Sequence, residues 1–308
     1  MASNSFLEMT RSLLLYVPQL PIPLAEQFIR DRYRRILERK DWAGQRAEAE
    51  FLLNNQKIDG TVALTRGVNT VTGTATSFAA TDVGRQFKAG GDSPIYTVAT
   101  WASTTSITLD RVYGGATTTS TTYRIFDGYV TVPSDFLRFV SVVDNEAGFR
   151  LRHWITADEI ASVDPQRTNF GQPYCLADRM FVNVAGIPTP QYEVWPYSTN
   201  ARNLYYVYLK RPVDLINDSD TPLWPIRSDA IVAGALADAA RWPGTPTEIN
   251  PYYRRPELWI SYEKEYEDKM IELERRDEDL TLTWLSSNDW ASYPFYPWSA
   301  GFIQSHSI

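Results

Sequence analysis

Few residues in this chain have the type and spacing that catalysis needs. The two histidines are His153 and His306, and Cys175 is the only cysteine. Together with Asp164, His153 and Cys175 would supply the side-chain types of a thiol protease triad. The sequence around Cys175 lacks a recognisable nucleophile context, and a single histidine beside Trp154 in a strand is more typical of a structural side chain. We therefore predict no catalytic residue.

Metal and phosphate sites are equally hard to find in the sequence. Asp218 and Asp220 flank a serine in a polar loop, and two carboxylates are too few for a calcium site. The Gly-Gly pairs at residues 90–91 and 114–115 lack the Gly-Lys-Ser/Thr and Gly-x-Gly-x-x-Gly patterns of a phosphate cradle. We expect no cofactor and no metal. A single cysteine permits no internal disulfide, which suits a reducing cytoplasm.

Composition favours a folded protein with large contact surfaces. An apolar fraction of 44% is ample for packed cores, and the ten Trp, eighteen Tyr and thirteen Phe exceed what one core needs. A net charge of −7 argues against a general nucleic-acid binder, whose affinity comes from Lys and Arg. We expect neither a signal peptide, because residues 1–16 lack a small-residue cleavage site, nor a membrane span.

Both ends of the chain show helical periodicity. Residues 5–17 predict a first helix that stops at Pro18, and a second helix begins at Pro23. Near the C-terminus, Ser228 can cap another helix, and a longer one runs from about residue 256 to residue 280. Any functional surface formed by the two ends of the chain would be positioned by these four helices.

Two of these helices carry opposite charges. Residues 30–40 hold six basic side chains against two acidic ones, whereas residues 255–279 hold ten acidic side chains against five basic ones. Complementary faces of this kind either join neighbouring copies of a protein or pair within one protomer. The sequence leaves both alternatives open.

The middle of the chain has strand signals. Residues 46–53 enter a sheet that resumes at residues 129–132, and Thr156 with Glu159 resembles a capping box that opens a short helix. Residues 60–128 are rich in Thr and contain no Glu, and their short alternating runs are typical of an inserted β module. Further strand candidates are residues 136–143, 179–184, 191–195 and 203–209.

These patterns predict an α+β fold. In it, a helical bundle built from the N- and C-terminal parts accompanies a β-rich middle and an inserted small β domain. The predicted divisions are residues 1–56, with the N-terminal helices and first strand; residues 57–128, the inserted domain; residues 129–289, the rest of the core; and residues 290–308, a tail.

The tail is an aromatic segment that cannot pack by itself. Two prolines within it exclude a regular helix, and its aromatic content is unlike that of a disordered tail. It either folds back onto its own domain or docks on another subunit, and we interpret it as a docking segment. The predicted partner-binding residues, for a neighbouring subunit or another protein, are Trp290, Tyr293, Phe295, Tyr296 and Trp298.

Three stretches of the chain form one pattern. They are YVPQLPIPLAEQFIRD at residues 16–31 followed by Trp42, VPSDFLRF at residues 132–139, and RPVD at residues 211–214 leading to residues 226–242. This pattern resembles the head-to-tail adaptor, or connector, proteins of tailed bacteriophages. The resemblance does not extend to residues 60–128 or to the C-terminal tail.

The resemblance implies a structural virion protein rather than an enzyme. In that family twelve copies form a ring under the portal, join it to the tail and continue the DNA channel. The implied partners are other copies of the chain, the portal protein, and a tail nozzle, tail-tube or fibre protein, with no membrane involved. DNA passes through the lumen without specific binding, which an acidic wall favours. The implied location is the neck of the virion, after synthesis in the host cytoplasm.

Two other classes of function compete with this interpretation. The β module and the aromatic surplus are also typical of a β-rich tail fibre or a carbohydrate-binding tail component. A tail-associated hydrolase would need two carboxylates that are remote in sequence to converge in the fold.

Overall fold

The chain is mostly β-structure. A computed structural model describes residues 4–90, 94–184, 186–245 and 249–287, and within them the chain forms seventeen strands in four sheets and five α-helices. It divides into two compact units. Unit 1 consists of residues 1–46 and 209–308, and unit 2 consists of residues 47–208.

The bounds of the elements are as follows. The helices are α1 (Phe6–Tyr16), α2 (Ile22–Arg39), α3 (Ala157–Val163), α4 (Ser228–Arg241) and α5 (Pro256–Ser287). The strands are β1 (Arg46–Leu53), β2 (Thr61–Leu64), β3 (Thr70–Thr74), β4 (Gln86–Ala89), β5 (Tyr96–Ser103), β6 (Ser106–Leu109), β7 (Thr118–Thr121), β8 (Tyr123–Phe126), β9 (Tyr129–Thr131), β10 (Phe136–Asp144), β11 (Phe149–Arg150), β12 (Arg152–Thr156), β13 (Phe170–Gly171), β14 (Cys175–Val184), β15 (Ile187–Trp195), β16 (Tyr197–Ser198) and β17 (Arg202–Lys210).

Unit 1 is built from helices of both chain ends. The apolar stripes of α1, α2, α4 and α5 share one core, to which Met9, Ile29, Ile231 and Met270 each contribute a fully buried side chain. Small residues on α4 allow close helix packing. A Cβ added at Gly234 would lie 2.9 Å from side-chain atoms of α2 and of α5, so only glycine fits at this position without movement of its neighbours.

Unit 2 contains two four-stranded sheets, with the orders β1-β17-β10-β11 and β12-β14-β15-β9. Side chains from both sheets form one aromatic core. In it Phe51 stacks on Tyr206 with ring centroids 4.3 Å apart, and Phe136 and Phe139 make an edge-to-face contact. Along β17 the core residues Leu204, Tyr206 and Tyr208 alternate with half-buried ones, which is why the periodicity of this strand is visible in the sequence.

The threonine-rich segment forms a seven-stranded sheet within unit 2, in the order β7-β2-β3-β6-β5-β4-β8. Its apolar side chains, among them Val71, Phe87 and Ile107, form a core cluster of their own. Threonines fill the opposite positions of the short strands, where they are exposed to solvent.

The predicted fold class, a helical bundle with a β-rich middle and a small β insertion, is wrong. The insertion supplies the largest sheet of the described chain, which curls into a half-barrel, and the strands from β9 to β17 together with β1 form three further sheets. The β content was underestimated because short strands separated by tight turns leave only short alternating runs in the sequence. The predicted divisions at residues 56, 128 and 289 stay predictions.

Candidate functional site

The residues that the sequence predicted for partner binding lie outside the described residues. Trp290, Tyr293, Phe295, Tyr296 and Trp298 all follow Ser287, where α5 ends. Their role in docking therefore stays a prediction. Candidate binding surfaces are therefore sought among the described residues.

The cysteine and the histidine considered for a thiol triad belong to different clusters. Cys175 lies in a small buried cluster with Ile160 and Trp195, and burial raises the pKa of its thiol to about 12. His153 instead packs against Phe139 of the aromatic core, with ring centroids 5.7 Å apart, and burial lowers its pKa. The thiol stays protonated at neutral pH, so Cys175 is a core residue.

Asp164 has a structural task. Its carboxylate accepts hydrogen bonds from the backbone N–H groups of Thr168 and Asn169 and from the indole of Trp195. Burial opposes ionisation, but these hydrogen bonds outweigh it and lower the pKa of Asp164. The side chain therefore ties the loop after α3 to the β14–β15 pair.

No group of three or more His, Cys, Asp or Glu side chains that could hold a metal ion occurs in the described part of the chain. Among the same residues, no helix has the length and apolarity that crossing a membrane requires.

The basic face of α2 pairs inside the protomer. Arg32 is buried and donates to both Asp238 of α4 and Glu263 of α5, with N–O distances of 2.7 Å and 2.9 Å for its Nη2 atom. Burial alone would lower the pKa of Arg32, but these two carboxylates raise it. Arg39 and Lys40 extend the pairing to acidic residues further along α5. Of the two alternatives open in the sequence, these contacts realise the internal one.

The threonine-rich sheet is fixed to the rest of unit 2 by buried charges. Asp82 is fully buried and accepts from Lys57 at 2.7 Å and from Arg85 at 3.1 Å. Arg85 continues to Asp127, again at 2.7 Å, and donates to the backbone carbonyl of Asn55. Such a network holds both ends of the insertion in one geometry, because each member is satisfied only when all are in place.

One hairpin of unit 2 extends past its neighbours. β14 pairs with β15 along its whole length, but the pairing of β12 with β14 ends at Asp178, and that of β9 with β15 begins only at Gln191. Residues 179–184 and 186–190 thus form a two-stranded ribbon, which we call the hairpin arm. A two-stranded ribbon has little stability in water unless another surface covers it.

The hairpin arm carries apolar side chains on both faces. Phe181 is 68% exposed, Met180 is 49% exposed and Ile187 is 40% exposed. Adjacent residues of a strand point to opposite faces, so Met180 and Phe181 cannot both be covered by the same sheet. Exposed apolar groups clustered in this way mark interaction surfaces.

The two edges of the arm differ. β15 carries Pro188 and Pro190, which lie opposite Asn183 and Phe181 in the ladder and have no N–H to offer to a further strand. β14 has no proline along this stretch, so its backbone donors are retained. The arm can therefore accept a strand or a loop at its β14 edge, while its β15 edge is blocked.

A second surface lies beside the arm in the same sheet. It is a cleft of about 380 Å³ between β12, α3 and the start of β14. Its walls include the exposed rings of Trp154 and Tyr174, and Trp195 lies beneath Tyr174 at a centroid distance of 5.1 Å. Arg152 and Glu159 stand at its rim. We call it the aromatic cleft.

Sequence reasoning missed the hairpin arm. It assigned residues 179–184 and 191–195 to strands but gave no role to residues 187–190, the first four residues of β15. The Pro-Thr-Pro run at residues 188–190, opposite an apolar run, was the available signal, since alternating prolines mark a free sheet edge. Comparison with known proteins adds no assignment: no protein-family model and no curated protein matches the chain.

Proposed function

We propose that this chain is a structural virion protein whose copies form a ring that joins the portal to the tail and continues the DNA channel. The observation that carries the proposal is the hairpin arm, with its apolar faces and its single open edge. A ring requires heterologous contacts, in which one surface of a copy meets a different surface of the next. An arm that is open on one edge and blocked on the other suits such a one-way contact.

Energetic considerations favour the arm over charge pairing as the source of assembly. Met180, Phe181 and Ile187 are 40–68% exposed, so covering each of them contributes about 1–1.5 kcal/mol before the cost of association. The basic residues of α2 are already paired with carboxylates of their own protomer. Charge attraction between copies would have to compete with these internal pairs.

The proposed partners are further copies of the chain, the portal protein, and a tail nozzle, tail-tube or fibre protein. DNA would pass through the lumen without specific binding, in keeping with the net charge of −7. The proposed location is the virion neck. The threonine-rich sheet would project from, or brace, this ring as a rigid part, since buried charges fix its attachment.

The test compares an arm variant with a matched surface variant. Met180→Ser together with Phe181→Ser removes two apolar side chains of the arm, whereas Val213→Ser removes an exposed one in unit 1. Native mass spectrometry with and without purified portal would record ring formation. We expect the arm variant to need about ten- to a hundredfold higher concentration to assemble, and Val213→Ser to behave as the parent. A parent chain that stays monomeric with portal, or that electron microscopy finds elsewhere in the virion, would refute the proposal.

The aromatic cleft favours a second candidate, a carbohydrate-binding tail component. Two exposed rings beside a charged rim offer flat apolar surfaces together with polar partners, the combination found in small-molecule sites. The mostly β architecture agrees with this class better than the predicted helical bundle did. Calorimetric titration with host-surface glycans would test it: binding that Trp154→Ala abolishes would support it, and no heat from any glycan would exclude it.

A further inference from the structure

We infer that the proline-bearing tail of one copy docks in a helical groove of a second copy, with Pro294 and Pro297 as its central contacts. This inference rests on the proposed self-assembly and names one of its contact surfaces. The groove lies in unit 1, between α1, α4 and α5, and has a volume of about 380 Å³. Pockets of this size accommodate a short peptide segment.

Half of the residues that line the groove are apolar or aromatic, and the other half are polar or charged: Asn4, Ser12, Ser228, Asp229, Glu265 and Lys269. Leu15 and Tyr16 stand on the α1 side and are 82% and 54% exposed. Val232 and Leu236 of α4 form its floor, and Tyr262 of α5 forms the opposite wall. A groove that leaves a leucine and a tyrosine so exposed on a helical unit is a surface to be covered.

The tail has the sequence that such a groove recognises. Tyr-Pro-Phe-Tyr-Pro-Trp, at residues 293–298, contains a Pro-x-x-Pro spacing with aromatic residues on both sides. Pro-x-x-Pro segments bind as polyproline II helices to grooves lined with aromatic rings, because they lose little entropy on binding. Between Tyr262 and Lys269, which mark the two ends of the groove on α5, the helix rises about 10.5 Å, close to the length of four residues in polyproline II form.

The length of chain assigns this contact to a second copy. Lys269 lies eighteen residues before Ser287, where α5 ends, which is about 27 Å along a helix axis. The seven residues from Ser287 to Pro294 span about 25 Å at full extension. Tyr262 lies about 38 Å back from Ser287, against about 36 Å of reach for Pro297. At full extension the two prolines thus fall about 2 Å short of the ends of the groove of their own protomer, and at the polyproline II rise of about 3.1 Å per residue they fall about 5–7 Å short. The length of the segment therefore favours the groove of a second copy.

The test uses cysteine cross-linking in full-length chains. Leu15→Cys places a thiol in the groove, and Tyr296→Cys places one between the two prolines. Cys175 contributes no background, because its thiol is buried and its pKa is raised to about 12. When the two single variants are mixed under mild oxidation, only docking between copies joins them. Ile22→Cys, an exposed apolar position of α2 outside the groove, replaces Leu15→Cys in the control mixture.

We expect a reducible dimer in the mixture and about tenfold less in the Ile22→Cys control. Replacing both prolines by serine in the Tyr296→Cys chain should lower the yield by about tenfold as well. Native mass of the same samples separates two failures. If the chains assemble but the mixture gives no excess of dimer over the control, the tail contact is refuted and the ring proposal stands. If the chains do not assemble with or without portal, both fail. An intramolecular disulfide in the Leu15→Cys/Tyr296→Cys double variant without dimers would also overturn the inference.

Discussion

Removing the buried arginine of α2 should destabilise unit 1 far more than removing a neighbouring exposed one. The Arg32 side chain is 3% exposed and binds two carboxylates, whereas the Arg34 side chain is 50% exposed and binds Asp214 alone. Both arginines lie on the same helix and both make bidentate contacts to a carboxylate. The pair thus isolates the effect of burial.

The magnitude follows from what each substitution leaves behind. Arg32→Ala leaves Asp238 and Glu263 with Arg241, at 3.8 Å and 3.3 Å, and it removes the packing of the guanidinium on the Tyr266 ring at 4.9 Å. Breaking a buried pair in this way costs about 3–5 kcal/mol. Because Arg241 still neutralises part of the charge on the two carboxylates, we expect a loss at the lower end of this range. Arg34→Ala leaves a solvated carboxylate and should cost about 1 kcal/mol or less.

Urea unfolding followed by circular dichroism at the helix band provides the assay. Of the described helices, α1, α2, α4 and α5 belong to unit 1 and only the short α3 belongs to unit 2, so the helical signal reports mainly on unit 1. A double-mutant cycle of Arg32→Ala with Asp238→Ala should show a coupling energy above about 1 kcal/mol. If Arg32→Ala and Arg34→Ala shift the free energy of unfolding by equal amounts, the reasoning from burial is wrong.

Three further outcomes are expected. Burial raises the pKa of Glu263, but Arg32 outweighs burial, so the pKa is lowered in the folded protein. The stability that Glu263 contributes is therefore present above the usual glutamate pKa and is lost as the pH falls through the lower folded pKa. Urea titrations between pH 6 and pH 3 should show this loss, and the loss should be smaller in Glu263→Gln. Cys175 should resist a thiol reagent at pH 8 in native protein and react fully in urea, measured by absorbance, because its pKa is raised to about 12. Gly234→Ala should lower the unfolding free energy by about 1–3 kcal/mol, because its methyl group would press on Arg32 and Tyr266 at 2.9 Å and both are buried; a stabilised variant in the same urea assay would contradict this.

Much of the local structure could be predicted from the sequence because it depends on nearby residues. The capping box at Thr156 was confirmed: its hydroxyl accepts from the backbone of Glu159, and the Glu159 carboxylate accepts from the backbone of Thr156. The helix expected from residue 5 to residue 17 forms as α1, with apolar positions facing the core. The helix near Ser228 differs in one detail, since its N-cap is Arg227 and Ser228 is its first residue.

The sheets could not be predicted, because pairing joins residues that are distant in sequence. β1 pairs with β17, and β9 pairs with β15, so the strands on either side of the insertion belong to different sheets. The sequence had suggested that β1 and β9 enter one sheet. Alternation shows which side chains of a strand point inward, but it carries no information about the neighbouring strand.

The candidate surfaces escaped sequence reasoning for a related reason. Exposure of Phe181 depends on where β9 and β12 stop, and exposure of Leu15 depends on how α4 and α5 approach α1. An apolar residue in an amphipathic run predicts burial, and only the finished packing shows that these two are uncovered. The aromatic tail was predicted from its prolines, which exclude a helix within the segment itself, and its role in docking stays a prediction.

The distribution of charge and apolar surface indicates where the function of this chain resides. Charges that the sequence offered as contacts between copies are paired within the protomer, as Arg32 on α2 is, and Asp82 under the threonine-rich sheet is also paired internally. Apolar side chains that ordinarily fill a core stand uncovered on the hairpin arm and in the helical groove. A monomer gains nothing from this arrangement, because exposed clusters of this kind promote association. The proposed association with another copy or with a partner would cover these apolar side chains as well.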